Sequence, residues 1–201
     1  MAKKTDTRKP DIDAIRKDIV FQKTINDVPL TFTTTWGLFS PREIDEGSLL
    51  LLRHIDVKDT DDCLDLGCGY GVLGITLAKL APQGHTLMVD KDYVAVDYAD
   101  RNIQANALDN CEAGLSNGFS DVGDRQFDVI VSNIPAKVGK ELLQIFLHDA
   151  LGHLKPGGKM VVVTVSGLRR FIERHFREIF GNYKKLKQGK HYTVALASRK
   201  G

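Results

Sequence analysis

Asp65, Gly67, Gly69 and Gly71 fall at alternate positions within LDLGCGYGVLG, Leu64 to Gly74. An acid followed by three alternating glycines suits a loop whose backbone takes positive φ and comes close to a ligand. Cys63 to Leu66 reads as a short buried strand, and Val72 to Leu80 as the helix after the loop. Asp90 stands nineteen residues beyond Gly71, at the end of the apolar stretch HTLMVD, where a carboxylate can accept hydrogen bonds from both hydroxyls of a ribose. These residues predict a cradle for a nucleotide-type cofactor, with Cys68 inside the loop and Lys91 just past the acid as further contacts. A dinucleotide fingerprint needs G-x-G-x-x-G, and counting from Gly67 puts Val72 where the third glycine should be. A loop acting only as a tight turn normally needs one or two glycines.

Two further places follow strands. Asn133-Ile134-Pro135-Ala136 comes directly after FDVIVS. Pro135 stiffens the turn and holds Ile134 extended, so the Asn133 amide oxygen and the next backbone carbonyls become acceptors at the sheet edge. Asn133 is equally suited to cap a helix or close an Asx turn. Ser116-Asn117-Gly118 follows EAGL: Asn117 suits the amino edge of an adenine, and Asn-Gly suits a plain turn.

The elements that must position these residues alternate along the chain. Residues 1–15 read as mobile, and Ile19 to Thr34 as strands around Asn26-Asp27. Ser40-Pro41-Arg42-Glu43 predicts the start of a helix running to about His54. From Cys63 onward strands and helices alternate, with apolar stripes at Leu143, Leu147, Ala150 and at Ile172, Phe176, Ile179 that mark helix faces turned to a core. The pattern predicts one α/β domain over 1–201, with N-terminal strands and a helix in 16–60 and a Rossmann-like core in 61–201. That core is a doubly wound, mostly parallel seven-stranded sheet ending in an antiparallel hairpin, preceded by a short N-terminal β extension. Ligands of such sheets sit at the carboxyl ends of the strands.

At 201 residues, 42% hydrophobic and 27% charged, the chain can bury one substantial core. Its start lacks an apolar stretch, which predicts a cytoplasmic protein without a membrane anchor. Three cysteines without C-x-x-C spacing and six histidines without ligand spacing predict neither a disulfide framework nor a metal site. The net charge of +2 hides an uneven distribution. Residues 169–201 carry ten Lys/Arg against two acids and residues 1–23 seven against four, while the middle is acidic. Basic ends suit a polyanionic partner and equally a solvated face.

The D-x-G-x-G-x-G spacing resembles the S-adenosylmethionine loop of class I methyltransferases, where the amino and carboxylate ends of the methionine contact the loop and no pyrophosphate needs a helix N-terminus. On that resemblance the Asn133 acceptors face the methyl group. An exocyclic base amine is a poor nucleophile because its lone pair is delocalised into the ring. Two acceptors holding its hydrogens favour the pyramidal amine of the transition state, so positioning and preorganised dipoles supply the rate without a strong base.

TTTWGLFSPREIDEGSLLLL, LDLGCGYGVLG, VDKDYVAVDYADRNIQANAL, FDVIVSNIPAKVGKE and LKPGGKMVVV together resemble the methyltransferase small-domain family from about Thr31 to Val165. That family includes the guanine-N2 methyltransferases of small-subunit ribosomal RNA. The resemblance implies S-adenosylmethionine as cofactor and RNA, ribosomal RNA above all, as partner. It also implies a wall made by Gly37 to Ser40 and recurrent asparagines at Asn102 and Asn106. The family's catalytic tetrapeptide is Asn-Pro-Pro followed by a large residue. Here Asn133 and Pro135 match, Ile134 replaces the first proline, and Ala136 replaces the residue that packs on the target base. Trp36 and Phe39 are the available stacking groups, Phe39 being equally suited to a core, and Lys137 and Lys140 are placed to face phosphate. A protein glutamine or small-molecule amine as acceptor, and a binding module without activity, are the alternative readings.

Overall fold

Alternation along two consecutive strand stretches sends Val129, Val131, Val161 and Val163 to one side and Ile130, Met160 and Val162 to the other, and both sets are buried. A sheet buried on both faces must be covered on both. The computed structural model, which describes residues 11–201, supplies that cover. After a helical turn, α1 (Ile12–Ile15), come the antiparallel strands β1 (Ile19–Ile25) and β2 (Val28–Thr34), then α2 (Glu46–Leu52). The main sheet follows as β3 (Cys63–Leu66), α3 (Val72–Leu80), β4 (Thr86–Asp90), α4 (Tyr93–Ala105), β5 (Cys111–Leu115), β6 (Phe127–Asn133), α5 (Lys140–His153), β7 (Leu154–Val165), α6 (Arg169–Phe180), β8 (Lys184–Gln188) and β9 (Tyr192–Ser198). Its order is β5-β4-β3-β6-β7-β9-β8, with β9 antiparallel to both neighbours. The β1–β2 hairpin and α2, α3 and α4 cover one face, and α5 and α6 cover the other.

The hairpin turns on Asn26 and Asp27, whose φ angles of 48° and 64° are those of a two-residue turn matched to strand twist. It is held to the domain by side chains acting as a neighbouring strand. Asn106 accepts from Thr31 N and donates to Thr31 O, and Asn102 accepts from Thr33 N and donates to Thr33 O. Asn102 also donates to Tyr70 O at 2.9 Å, which ties the hairpin to the glycine loop.

One expectation is corrected. Ser40 and Pro41 do not start the helix: Ser40 has φ of 48° and its hydroxyl donates to Glu43 O, and Asp45 caps α2 by accepting from Ser48 N at 3.0 Å. A carboxylate is the stronger acceptor for a helix N-terminus, and Ser40 is used instead to turn the preceding loop. Of the segment expected to be mobile, residues 1–10 lie outside the described residues, and Ile12–Ile15 is an exposed turn capped by Asp11.

Candidate functional site

The carboxyl ends of β3, β4, β5 and β6 open into a cavity of about 620 Å³, within the range of small-molecule sites. Its floor is the glycine loop between β3 and α3. Gly67 and Cys68 donate their N–H groups to Val89 O at 2.8 and 3.0 Å, which fastens the loop to β4. Gly71, with φ of 95°, precedes the first turn of α3, and its carbonyl accepts from Ile75 N. A Cβ at Gly74 would come within 2.3 Å of Met88, so that glycine lets α3 lie directly on β4.

Asp90, at the end of β4, accepts from Gly69 N at 2.9 Å through one carboxylate oxygen and from Asp92 N at 3.0 Å through the other. Both oxygens are thereby oriented, and each keeps a lone pair for a further donor. Lys91 and Asn117 also line the cavity. Asn117 begins a turn, its carbonyl accepting from the Ser120 hydroxyl at 2.9 Å, and the residue lines the cavity. The turn is therefore real, and among the described residues the Asn117 amide takes no hydrogen-bond partner. Leu142 and Phe146 of α5 add an apolar wall beside Gly118.

Asp65 stands differently from its neighbours. It is fully buried behind the loop, off the cavity wall, and one carboxylate oxygen accepts from Gly74 N at 2.8 Å while the other has no partner. Burial, with Asp90 nearby, pushes its carboxyl up to about 7, against the pull of the Gly74 N–H. Cys68 is on the wall as expected, and burial keeps its thiol protonated.

At the other end, Asn133, Ile134, Pro135, Ala136 and Lys137 line the cavity. Ile134 continues the ladder to β7 by donating to Val163 O at 2.9 Å, and its side chain is buried. The Pro135 carbonyl accepts from Val138 N, so the turn consumes one of the backbone acceptors. The Asn133 amide nitrogen lies 3.1 Å from each oxygen of Asp45 and 3.0 Å from the Ser48 hydroxyl. Phe39 is on the wall and largely exposed, whereas Trp36 and Lys140 are exposed and off it. Tyr70 donates to Ser40 O at 3.3 Å and packs edge-on against Phe21 and Phe32, joining the loop that carries Phe39 to the glycine loop.

Sequence reasoning missed Asp45, Ser48, Val165 and Tyr192, which complete this end of the wall. Asp45 three residues before Ser48 is a capping signal that the sequence does carry; Tyr192 gave none, because only the antiparallel return of β9 brings it beside Val165. Among the described residues no cluster of His, Cys, Asp or Glu is arranged to hold a metal, and no helix is long and apolar enough to cross a membrane.

The donors and acceptors fit S-adenosylmethionine: paired, oriented lone pairs at Asp90 for a ribose, backbone of the glycine loop for the methionine end, and an apolar wall beside Asn117 for the adenine. Comparison with known proteins agrees. Residues 29–196 match the family described as "Methyltransferase small domain". Ribosomal RNA small subunit methyltransferase C of Stutzerimonas stutzeri (strain A1501) is 35% identical over 172 residues, 83% of this chain and 51% of that protein. YbxB of Bacillus subtilis (strain 168), itself uncharacterised, is 29% identical over 197 residues and matches 96% of both chains. The 16S rRNA N2 methyltransferase RsmC of T. thermophilus, solved with AdoMet and guanosine, superposes with a TM-score of 0.83 at 30% identity, covering 91% of this chain and 51% of its own. The chain thus spans about half the length of the methyltransferase C relatives it matches and nearly all of YbxB. It belongs to the methyltransferase small domain family, whose cofactor is S-adenosylmethionine.

Proposed function

We propose that this protein is an S-adenosylmethionine-dependent N-methyltransferase acting on an exocyclic base amine of RNA, guanine N2 of ribosomal RNA in particular. The observation that carries this reading is one continuous cavity running from Asp90 through the glycine loop to Asn133, a cofactor end joined to an acceptor end. S-adenosylmethionine supplies an electrophilic methyl on a sulfonium. Asp90 and Asn117 hold its nucleoside, and Lys91 borders it. The Asn133 amide oxygen and the Ile134 carbonyl accept the two hydrogens of the target amine and favour its pyramidal form. The nitrogen lone pair forms the new bond to the methyl carbon as the carbon–sulfur bond breaks, and the extra proton leaves to water.

The base must leave its stack to reach this cavity. Phe39 offers a ring at the mouth, and the small Ala136 leaves room that a large residue would fill. Cations stand in the segments that follow the carboxyl ends of β6 and β7 and in the turn before β9: Lys137, which lines the cavity, Lys140 at the start of α5, Arg169 and Arg170 at the start of α6, and Lys190 in the β8–β9 turn. Among the described residues these five make no ion pair, whereas Arg174 and Arg177 further along α6 face Glu178 and Glu173. That distribution supports phosphate binding at the mouth.

The test is incubation with tritiated S-adenosylmethionine and small ribosomal subunits from cells lacking the protein, followed by mapping of the labelled base. Label at a guanine N2 is expected. Label in protein instead points to a glutamine or amine acceptor, and cofactor binding without any transfer to RNA, protein or small amines overturns the enzymatic reading.

A further inference from the structure

We propose that Asp45 is a positioning residue that fixes which end of the Asn133 amide faces the cavity. The inference rests on the function proposed above for Asn133. An amide presents an acceptor at one end and two donors at the other, and only the acceptor end can take a hydrogen from an amine. Nothing in Asn133 itself chooses between them. Asp45 chooses, because an ionised carboxylate only accepts: with both its oxygens 3.1 Å from Nδ2, the reversed amide would set oxygen against oxygen. The Ser48 hydroxyl, 3.0 Å from the same nitrogen, takes the second hydrogen. Both N–H groups are thereby consumed and the carbonyl oxygen is turned to the reacting amine.

The arrangement is held from α2. Asp45 is that helix's N-cap, accepting from Ser48 N, so the helix start and the acceptor's direction are set by one side chain. Gly47 keeps the space: a Cβ there would lie 2.9 Å from Asp45 Oδ1 and 3.0 Å from the Tyr192 ring. Asp45 reaches Asn133 across 88 residues of sequence.

Asp45→Asn keeps an oxygen for the cap and removes the constraint on the amide. Single-turnover transfer to small ribosomal subunits should fall about tenfold or more, with S-adenosylmethionine affinity and melting temperature unchanged. Asn133→Asp places two carboxylates face to face and should be slower still. Combining the two substitutions restores a donor opposite an acceptor, now reversed, and should recover rate over Asn133→Asp alone. A role confined to helix capping predicts no such recovery. Independently of any substrate, the Asn133 side-chain hydrogens of ¹⁵N-labelled protein should exchange slowly, and faster in Asp45→Asn. Wild-type protein that labels no subunit, protein or amine removes the functional reading alone, since the exchange measurement still decides the orientation. A full-rate Asp45→Asn protein, a double variant no better than Asn133→Asp, or unprotected amide hydrogens in the wild type each overturn the proposal.

Discussion

The two ends of the cavity are built by different means. The cofactor end is local and largely backbone: Gly67, Cys68 and Gly69 donate to β4 and its acid, with Gly69 and Asp90 only 21 residues apart. The acceptor end is assembled from side chains of β6, α2, β9 and the loop before α2, with Asn133 and its partners 85 to 88 residues apart. A backbone-made subsite tolerates most changes of side chain and fails mainly where a glycine or the single acid is removed. A subsite of converging side chains depends on each of them and on the elements that aim them. Under the function proposed above, the first is expected to govern affinity for the cofactor and the second the rate of transfer.

The largest effect expected from this division is at Asn133. Asn133→Ala should slow single-turnover transfer roughly 100-fold or more with the cofactor dissociation constant barely moved. Equal losses in both would erase the distinction. Next is Asp90→Ala, which removes the acceptor for Gly69 N and Asp92 N together with the hydrogen bonds proposed for the ribose. It should weaken S-adenosylmethionine by about 1 to 3 kcal/mol in calorimetry, and NAD should not bind in either protein. Replacing Arg169, Arg170 and Lys190 together should lower the slope of log affinity for RNA against log salt by about one for each phosphate no longer neutralised. Lys184, paired with Leu196 at the far end of the hairpin, should serve as a neutral control. Gly47→Ala should disturb the acceptor end alone, slowing transfer a few-fold at unchanged cofactor affinity.

The smallest effect concerns pH. Burial raises the Asp65 carboxyl from 3.8 to about 7, so between those values the folded protein keeps a proton that the unfolded chain has released. Stability should therefore fall as pH rises across that window and level off above it. Asp65→Asn retains an oxygen for Gly74 N, so it should flatten this dependence and melt higher than wild type at pH 8. A wild-type melting temperature that rises from pH 5 to 8, with no difference in the variant, would show that this carboxyl stays ionised.

Legibility from sequence follows the same division. The β3 strand and the α3 helix are readable to the residue because a buried apolar run, three glycines and a helix face are all contiguous signals. Asn133 is readable for the same reason, standing at the end of an apolar strand before a proline. Its orientation is not, because Asp45 and Ser48 come from another element and nothing local links them. The misplaced start of α2 has a related cause. Ser40-Pro41 and Asp45 carry competing capping signals on one short loop, and only the packing of that loop decides between them, by using Ser40 at φ of 48°. Asn102 in α4 and Asn106 at its C-cap are visible as a pair, but the strand they hold precedes them by 69 and 75 residues.

That last separation bears on how the protein is made. Chains emerge from synthesis N-terminus first, and a lone two-stranded hairpin is marginal in water. β1 and β2 leave before α4, and the asparagines that satisfy the β2 backbone follow 69 and 75 residues later. The hairpin must wait until α4 exists, and the loop bearing Trp36 and Phe39 waits with it. Chains stalled before Asn102 should thus expose β1–β2 to protease, and protection should begin only once α4 has been released and packed.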